Sequence, residues 1–313
     1  MRRPARVAAS DLPRSVTIYE VGPRDGLQNE PSAVATAAKI KFITRLADAG
    51  LKVIEATSFV RAERVPQLAD AAEVLAGLER ADGVRYPVLT PNLRGLERAL
   101  ESGAREVAIF GSATESFAQR NLNRSVAESI EMFTPVVAGA AEAGVPVRAY
   151  LSMCFGDPWE GEVALDRVVS AGAALLDLGC RELSLGDTIG VGTPGHVTAL
   201  VGAFADAGIG AERLAVHFHD TYGQALANTL AALRAGVTVV DASAGGLGGC
   251  PYAESATGNL ATEDLVWMLE GVGIDTGVDL ERLVATSLWM ARQLGRPSPS
   301  RVVQALGGGR DAG

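Results

Sequence analysis

Short runs rich in β-branched residues recur eight times along the chain, at 16–20, 52–56, 86–89, 106–110, 147–152, 182–185, 214–219 and 237–242. Alanine- and leucine-rich stretches with helical apolar spacing fill the intervals, among them 37–49, 93–102, 125–143 and 224–235. Several of these helices run into glycine just before the next strand, as at Gly50, Gly103 and Gly236, which suits a left-handed C-terminal cap. Strict alternation implies parallel strands joined by right-handed crossovers, and eight such units close into a (β/α)8 TIM barrel of the α/β class. An open doubly wound sheet is the competing architecture. Against it, the first run is followed by GPRDGLQNE, which lacks the GxGxxG spacing of a dinucleotide turn.

Beyond Glu270 the apolar pattern stays helical to about Leu294 and then dissolves into a tail ending GGGRDAG. The expected organisation is therefore a disordered N-terminal tail over 1–15, a barrel with a short C-terminal helical extension over 16–295, and a flexible tail over 296–313. With 48% hydrophobic residues the chain can bury a large core. A net charge of −9 argues against nucleic acid or an anionic membrane as partner, because nothing over the bulk surface offsets phosphate repulsion. The longest uncharged stretch, 188–205, holds several glycines and a proline, and makes a poor membrane span. The arginine-rich N-terminus lacks the apolar segment of a secretory signal. Three cysteines are too few for a disulfide framework in 313 residues, so reduced thiols and a cytoplasmic location are expected.

Two of the three histidines, His217 and His219, flank a single residue where the seventh run ends. On a strand both project to one face, a chelating geometry that a pair of hydrogen-bonded structural histidines would also satisfy. In a barrel the loops after the strands share the rim that carries the chemistry. Arg24 and Asp25 follow the first run, Glu55 ends the second, Asn92 follows the third, Asp187 the sixth, and Cys250 and Asn259 the eighth. Two imidazoles, a carboxylate and an amide carbonyl form a mixed N/O set without thiolate, which suits octahedral Mg²⁺ or Mn²⁺ better than a closed zinc site.

Each of these residues also has a purely structural reading. Asp25 could cap its turn, and Arg24 could pair with Glu55 as a rim salt bridge. Asp187, in LGDTIG, could serve an Asx turn. Cys250 could be an inert buried thiol, although its setting in GGLGGCPY suggests a flexible lid carrying a reactive one. The same glycines could instead cradle a phosphate, but they lack the Gly-Lys-Ser/Thr ending of a P-loop.

The blocks EVGPRDGLQNE, VIEATSF, YPVLTPNL, SLGDTIGVGTP, HFHDTYGQALANTL, GLGGCPYA and GNLATEDLVWMLEG resemble the 3-hydroxy-3-methylglutaryl-CoA lyase family. That family belongs to a metal-dependent barrel superfamily which also contains isopropylmalate and homocitrate synthases. The resemblance spans nearly the whole chain from Val16 to Leu294, and GLGGCPY is its lyase-specific part. It implies one divalent cation held by Asp25, His217, His219 and Asn259. It implies Arg24 near the thioester carbonyl, Cys250 as a mobile acid/base thiol, and Glu55 and Asp187 as supporting proton-handling groups. It also implies an acyl-CoA substrate, cleavage to acetyl-CoA and acetoacetate, and a homodimer.

The chain departs from the family pattern at Ala244-Gly245, at Glu254-Ser255, and at Arg61-Ala-Glu-Arg64 where a proline- and lysine-containing segment is usual. Those differences leave a longer branched 3-hydroxyglutaryl-CoA open as substrate, and leucine degradation, ketone-body formation or terpenoid breakdown open as context. The alternatives are a Claisen-type synthase condensing acetyl-CoA with a 2-oxo acid, and a non-catalytic metal-binding scaffold.

Overall fold

The structure, a computed structural model, describes residues 3–249 and 258–307; Cys250, expected on a lid, lies outside them. Its strands are β1 (Thr17–Glu20), β2 (Val53–Ile54), β3 (Thr57–Ser58), β4 (Val88–Leu89), β5 (Val107–Ser112), β6 (Val147–Ser152), β7 (Glu182–Asp187), β8 (Leu214–Phe218) and β9 (Val239–Ala242). All pair in parallel, in the order β2-β1-β9-β8-β7-β6-β5-β4-β3. The two ends of that order, β2 and β3, are pieces of one stretch of chain. Between them the Glu55 amide donates to Glu20 at 2.8 Å on one side, while the Ala56 amide donates to Pro87 at 2.9 Å on the other. The sheet thus closes on itself as an eight-stranded barrel, as the alternation of runs predicts.

The second run is read as one strand from sequence but breaks at Glu55 and Ala56, where its hydrogen bonds switch neighbours. The third run shortens from 86–89 to β4 because Pro87 has no amide to donate.

Helices α1 (Thr36–Asp48), α2 (Ala71–Ala76), α3 (Leu93–Glu101), α4 (Glu115–Leu122), α5 (Val126–Glu142), α6 (Leu165–Asp177), α7 (Pro194–Asp206) and α8 (Ala225–Arg234) lie between the strands. Helices α9 (Thr262–Gly271), α10 (Leu280–Leu294) and α11 (Arg301–Gly307) follow the last strand. Apolar side chains from helices and strands, including Phe42, Phe133, Phe204 and Phe218, are fully buried between the two layers. Burial on that scale, at about 25 cal/mol per Å² of apolar surface, supplies most of what holds the rim loops in register. Among the described residues no helix is long and apolar enough to cross a membrane.

Both end segments are more ordered than their composition suggests. The amides of Val7 and Ala9 donate to Gly271 and Val272 at 2.9 and 3.2 Å. At the other end Ser300 caps α11, its hydroxyl accepting from the Val303 amide at 3.1 Å, and Ser298 donates to the Gly245 carbonyl at 2.8 Å. The tail expected to be flexible thus includes a helix that buries Val303 and buttresses the glycine-rich turn after β9.

Candidate metal centre and active site

After β1 the chain folds into a tight turn over Gly22–Gly26, with the Asp25 and Gly26 amides both returning to the Val21 carbonyl. Gly26 is required there by close approach. A Cβ would lie 2.7 Å from the Ser243 hydroxyl and 2.9 Å from the Leu247 side chain. This turn delivers Arg24 and Asp25 side by side at the end of the barrel where β8 stops.

His217 lies on β8 and His219 just beyond it. The chain returns beside them at 258–260, where Leu260 donates to the Phe218 carbonyl at 2.9 Å and His219 forms a bridge with Asn259. One ligand atom from each of Asp25, His217 and His219 lies within 4.8 Å of the other two. Asn259 joins them, its amide nitrogen donating to Asp25 at 2.8 Å and to the Leu247 carbonyl at 3.0 Å. With the nitrogen so engaged, the Asn259 oxygen is buried with no hydrogen-bond partner among the described residues, as is His219 Nδ1. Unsatisfied buried polar atoms are uncommon, and one on Asn259, which is bonded to Asp25, with another on His219 of the same cluster, fits a cation.

Electrostatics favour the ligand forms. Burial pushes the Asp25 carboxyl up, but Arg24 and the two imidazoles outweigh it and bring the group down to about 2. Burial, with His217 adding, lowers His219 to about 4 and keeps it neutral.

Arg24 is 6% exposed. Its guanidinium donates to Glu55 and to Asp25, each at 2.6 Å, and stacks 5.1 Å from the centre of the Tyr150 ring. Glu55 also accepts from the Tyr150 hydroxyl at 3.1 Å, and its other oxygen is buried and unpartnered. Burial raises the Glu55 carboxyl in spite of Arg24.

Asp187 is placed differently. Its two oxygens accept the amides of Val191 and Gly192 at 2.9 and 3.0 Å, the turn role open to it from sequence, and burial raises it to about 6 in spite of those bonds. Asn92 caps α3 by accepting from the Gly95 amide at 2.9 Å, and also lines the cleft.

A family model described as HMGL-like matches residues 15–289. The chain belongs to the HMGL-like family. It is 53% identical over 295 residues to the mitochondrial hydroxymethylglutaryl-CoA lyase of Gallus gallus, covering 94% of this chain and 98% of that protein. The hydroxymethylglutaryl-CoA lyase structure from Pseudomonas aeruginosa superposes with a TM-score of 0.93 at 49% identity, covering 95% of this chain and 99% of that one. An HMG-CoA lyase from Acinetobacter baumannii, in complex with coenzyme A and 3-methylmalate, gives 0.89 at 38% identity with 98% of each chain covered.

Two charged residues of this HMGL-like barrel escaped the reading of its sequence. Asp241 of β9 is 3.2 Å from His217 Nδ1 and accepts from the Ser184 hydroxyl at 2.9 Å. Arg148 of β6 holds Asp241 through contacts of 2.6 and 3.2 Å. If His217 Nδ1 carries its proton toward Asp241, Nε2 is left as the lone-pair nitrogen facing Asp25. Asp241→Asn is expected to weaken divalent-cation binding about 10- to 100-fold. Competition against a chelating dye measures it, and an unchanged dissociation constant would remove Asp241 from the site.

Proposed function

We propose that this chain is a divalent-metal-dependent carbon–carbon lyase that cleaves 3-hydroxy-3-methylglutaryl-CoA, or a close branched analogue, to acetyl-CoA and acetoacetate or the matching 3-oxo acid. The observation that carries this reading is the meeting of Asp25, His217 and His219 directly beside the buried Arg24. Asp25, His217, His219 and Asn259 would hold the cation, and a donor set of nitrogen and oxygen without thiolate favours Mg²⁺ or Mn²⁺. Bound there, the cation would supply Lewis acidity to the tertiary alcohol, whose proton must pass to a protein carboxylate, Glu55 or Asp187 on family resemblance, before the C2–C3 bond can break.

The protein groups divide the rest of the work. Arg24 faces the thioester oxygen and stabilises the enolate charge that develops on it as the bond breaks. Glu55 and Tyr150 fix the guanidinium in that pose. Cys250, assigned on family resemblance, protonates the enolate carbon to give acetyl-CoA. Glu55 and Asp187 act as supporting proton-handling groups on family resemblance; Asp187 also shapes the 187–192 turn beside the cleft, and burial raises it to about 6. Residues 16–295 act as one catalytic unit, in a cytoplasmic homodimer. The homodimer rests on family resemblance. The location rests on the small number of cysteines, of which Cys154 and Cys180 are free.

Chelator treatment is expected to abolish release of acetyl-CoA from the glutaryl thioester, and Mg²⁺ or Mn²⁺ to restore it. Absence of turnover with either ion rejects the lyase. Consumption of acetyl-CoA in the presence of a 2-oxo acid would assign a synthase instead.

A further inference from the structure

The cleft above Arg24 and Asp25 encloses about 860 Å³, far more than the short acyl group of the proposed substrate needs. Its outer wall is built by three consecutive rim loops. Arg61 and Arg64 follow β3, Arg94 opens α3, and Arg120 and Arg124 flank the end of α4; all five are exposed. Asp25, on the floor, is the only carboxylate among the described lining residues. Glu63, between the first two arginines, is not part of the lining.

These cations are largely uncommitted. Among the described residues the guanidiniums of Arg61, Arg64 and Arg94 make no hydrogen bond or ion pair. Arg120 stacks 4.2 Å from the centre of the Trp159 ring, and Glu128, the carboxylate near Arg124, is engaged with the Ser125 amide. Five like charges gathered on one wall of a chain whose net charge is −9 repel one another, and the Trp159 ring beside Arg120 and the Glu128 carboxylate near Arg124 offset that cost only in part. Such a wall is complementary to a multiply charged anion, and the planar guanidinium fork matches phosphate oxygens two at a time.

We propose that the nucleotide end of the thioester, with its 3′-phosphate and diphosphate, docks on Arg61, Arg64 and Arg94, flanked by Arg120 and Arg124. The acyl end then reaches Arg24 and Asp25 down the length of the cleft. The identity of the thioester rests on the lyase reading; the phosphate site does not. Arg61 and Arg64 fall in the segment where the resemblance to the lyase family is interrupted.

Adenosine 3′,5′-bisphosphate, titrated calorimetrically into the full-length protein, tests the site without any chemistry. Binding to the unaltered protein is expected to weaken steadily as salt rises, since each cation–phosphate contact is screened. The double variant Arg61→Ala, Arg64→Ala should bind about 10- to 100-fold more weakly, the loss expected for charge-assisted hydrogen bonds. In turnover, the preference for the CoA ester over the phosphate-free pantetheine ester should fall by a similar factor. Bisphosphate affinity indifferent to salt, or equal in the variant and the parent, overturns the proposal. Bisphosphate binding that obeys these expectations in a protein that cleaves neither ester would keep the phosphate site and remove the lyase.

Discussion

Arg24→Gln lowers turnover by a factor on the order of 10²–10³ while leaving the cation bound. The size follows from what is removed. A charged donor preorganised in a dry site stabilises the developing oxyanion by several kcal/mol, because it is oriented before the reaction and needs no solvent to rearrange. Arg24 is oriented in this way by Glu55 and Asp25 at 2.6 Å each and by the Tyr150 ring beneath it. Glutamine keeps a donor and much of the length but loses the charge.

The same change acts on Asp25, whose burial is outweighed, down to a value near 2, only by Arg24 and the two imidazoles together. Without the guanidinium the carboxyl rises, yet the two imidazoles still favour its ionised form. Metal retention should therefore survive at neutral pH and fail at a higher pH than in the parent as the solution is acidified. Measuring kcat at saturating metal and substrate, together with bound metal across pH, separates the two effects. A variant with parental kcat would show that the enolate charge is met elsewhere. One that is inactive only because it is metal-free would assign Arg24 to ligand positioning.

The periodic parts of this molecule were legible because they are local. Eight apolar runs with helices between them define the barrel, and the rim positions of Arg24, Asp25, Glu55, His217, His219 and Asn259 follow once the strands are placed. What sequence could not supply is which residue meets which across the barrel. Arg24 illustrates the difference: its rim position is readable and pairing with Glu55, 31 residues away, is one option for it, but its stacking on Tyr150 is not.

Asp241 and Arg148 were invisible for the opposite reason. Each interrupts an otherwise apolar strand, in VVDA and VRAYLS, and reads as a blemish until its partner appears 93 residues away. A charged residue inside a strand expected to be buried on both faces is itself the signal, because burial without a partner is too costly to persist. The tail after Gly295 shows the limit of periodicity. Its loss of apolar periodicity suggested a flexible end, but Ser298 and Ser300 spend their hydroxyls on the Gly245 carbonyl and on Asp264.

Arg148→Met is expected to destabilise the fold by about 3–5 kcal/mol at neutral pH, the range for breaking a buried ion pair from one side. Arg148 is 1% exposed, lies between the rings of Tyr19 and Tyr150 at 4.0 and 4.6 Å, and bonds Glu182 and Asp241 at 2.6 Å each. Methionine fills much of the space but leaves Asp241 charged and fully enclosed. In the parent, burial pushes Asp241 up and Arg148 with His217 more than offsets it, so the carboxyl lies below its ordinary value of 3.8. Its contribution to stability is present above that ordinary value and is lost as pH falls through the lowered one.

In the variant burial meets less opposition and Asp241 rises, which reverses the dependence. The deficit is then greatest above the raised value and shrinks as acid neutralises the stranded carboxylate. Urea melts at pH 7 and pH 5 should show the gap between variant and parent narrowing on acidification, and Asp241→Asn placed in the Arg148→Met background should recover part of the loss at pH 7. A variant within 1 kcal/mol of the parent at pH 7, by the resolution such melts allow, would mean that Glu182 and the two rings carry the interior without the ion pair. The orientation of His217 would then have to come from its place on β8 rather than from a carboxylate that Arg148 keeps charged.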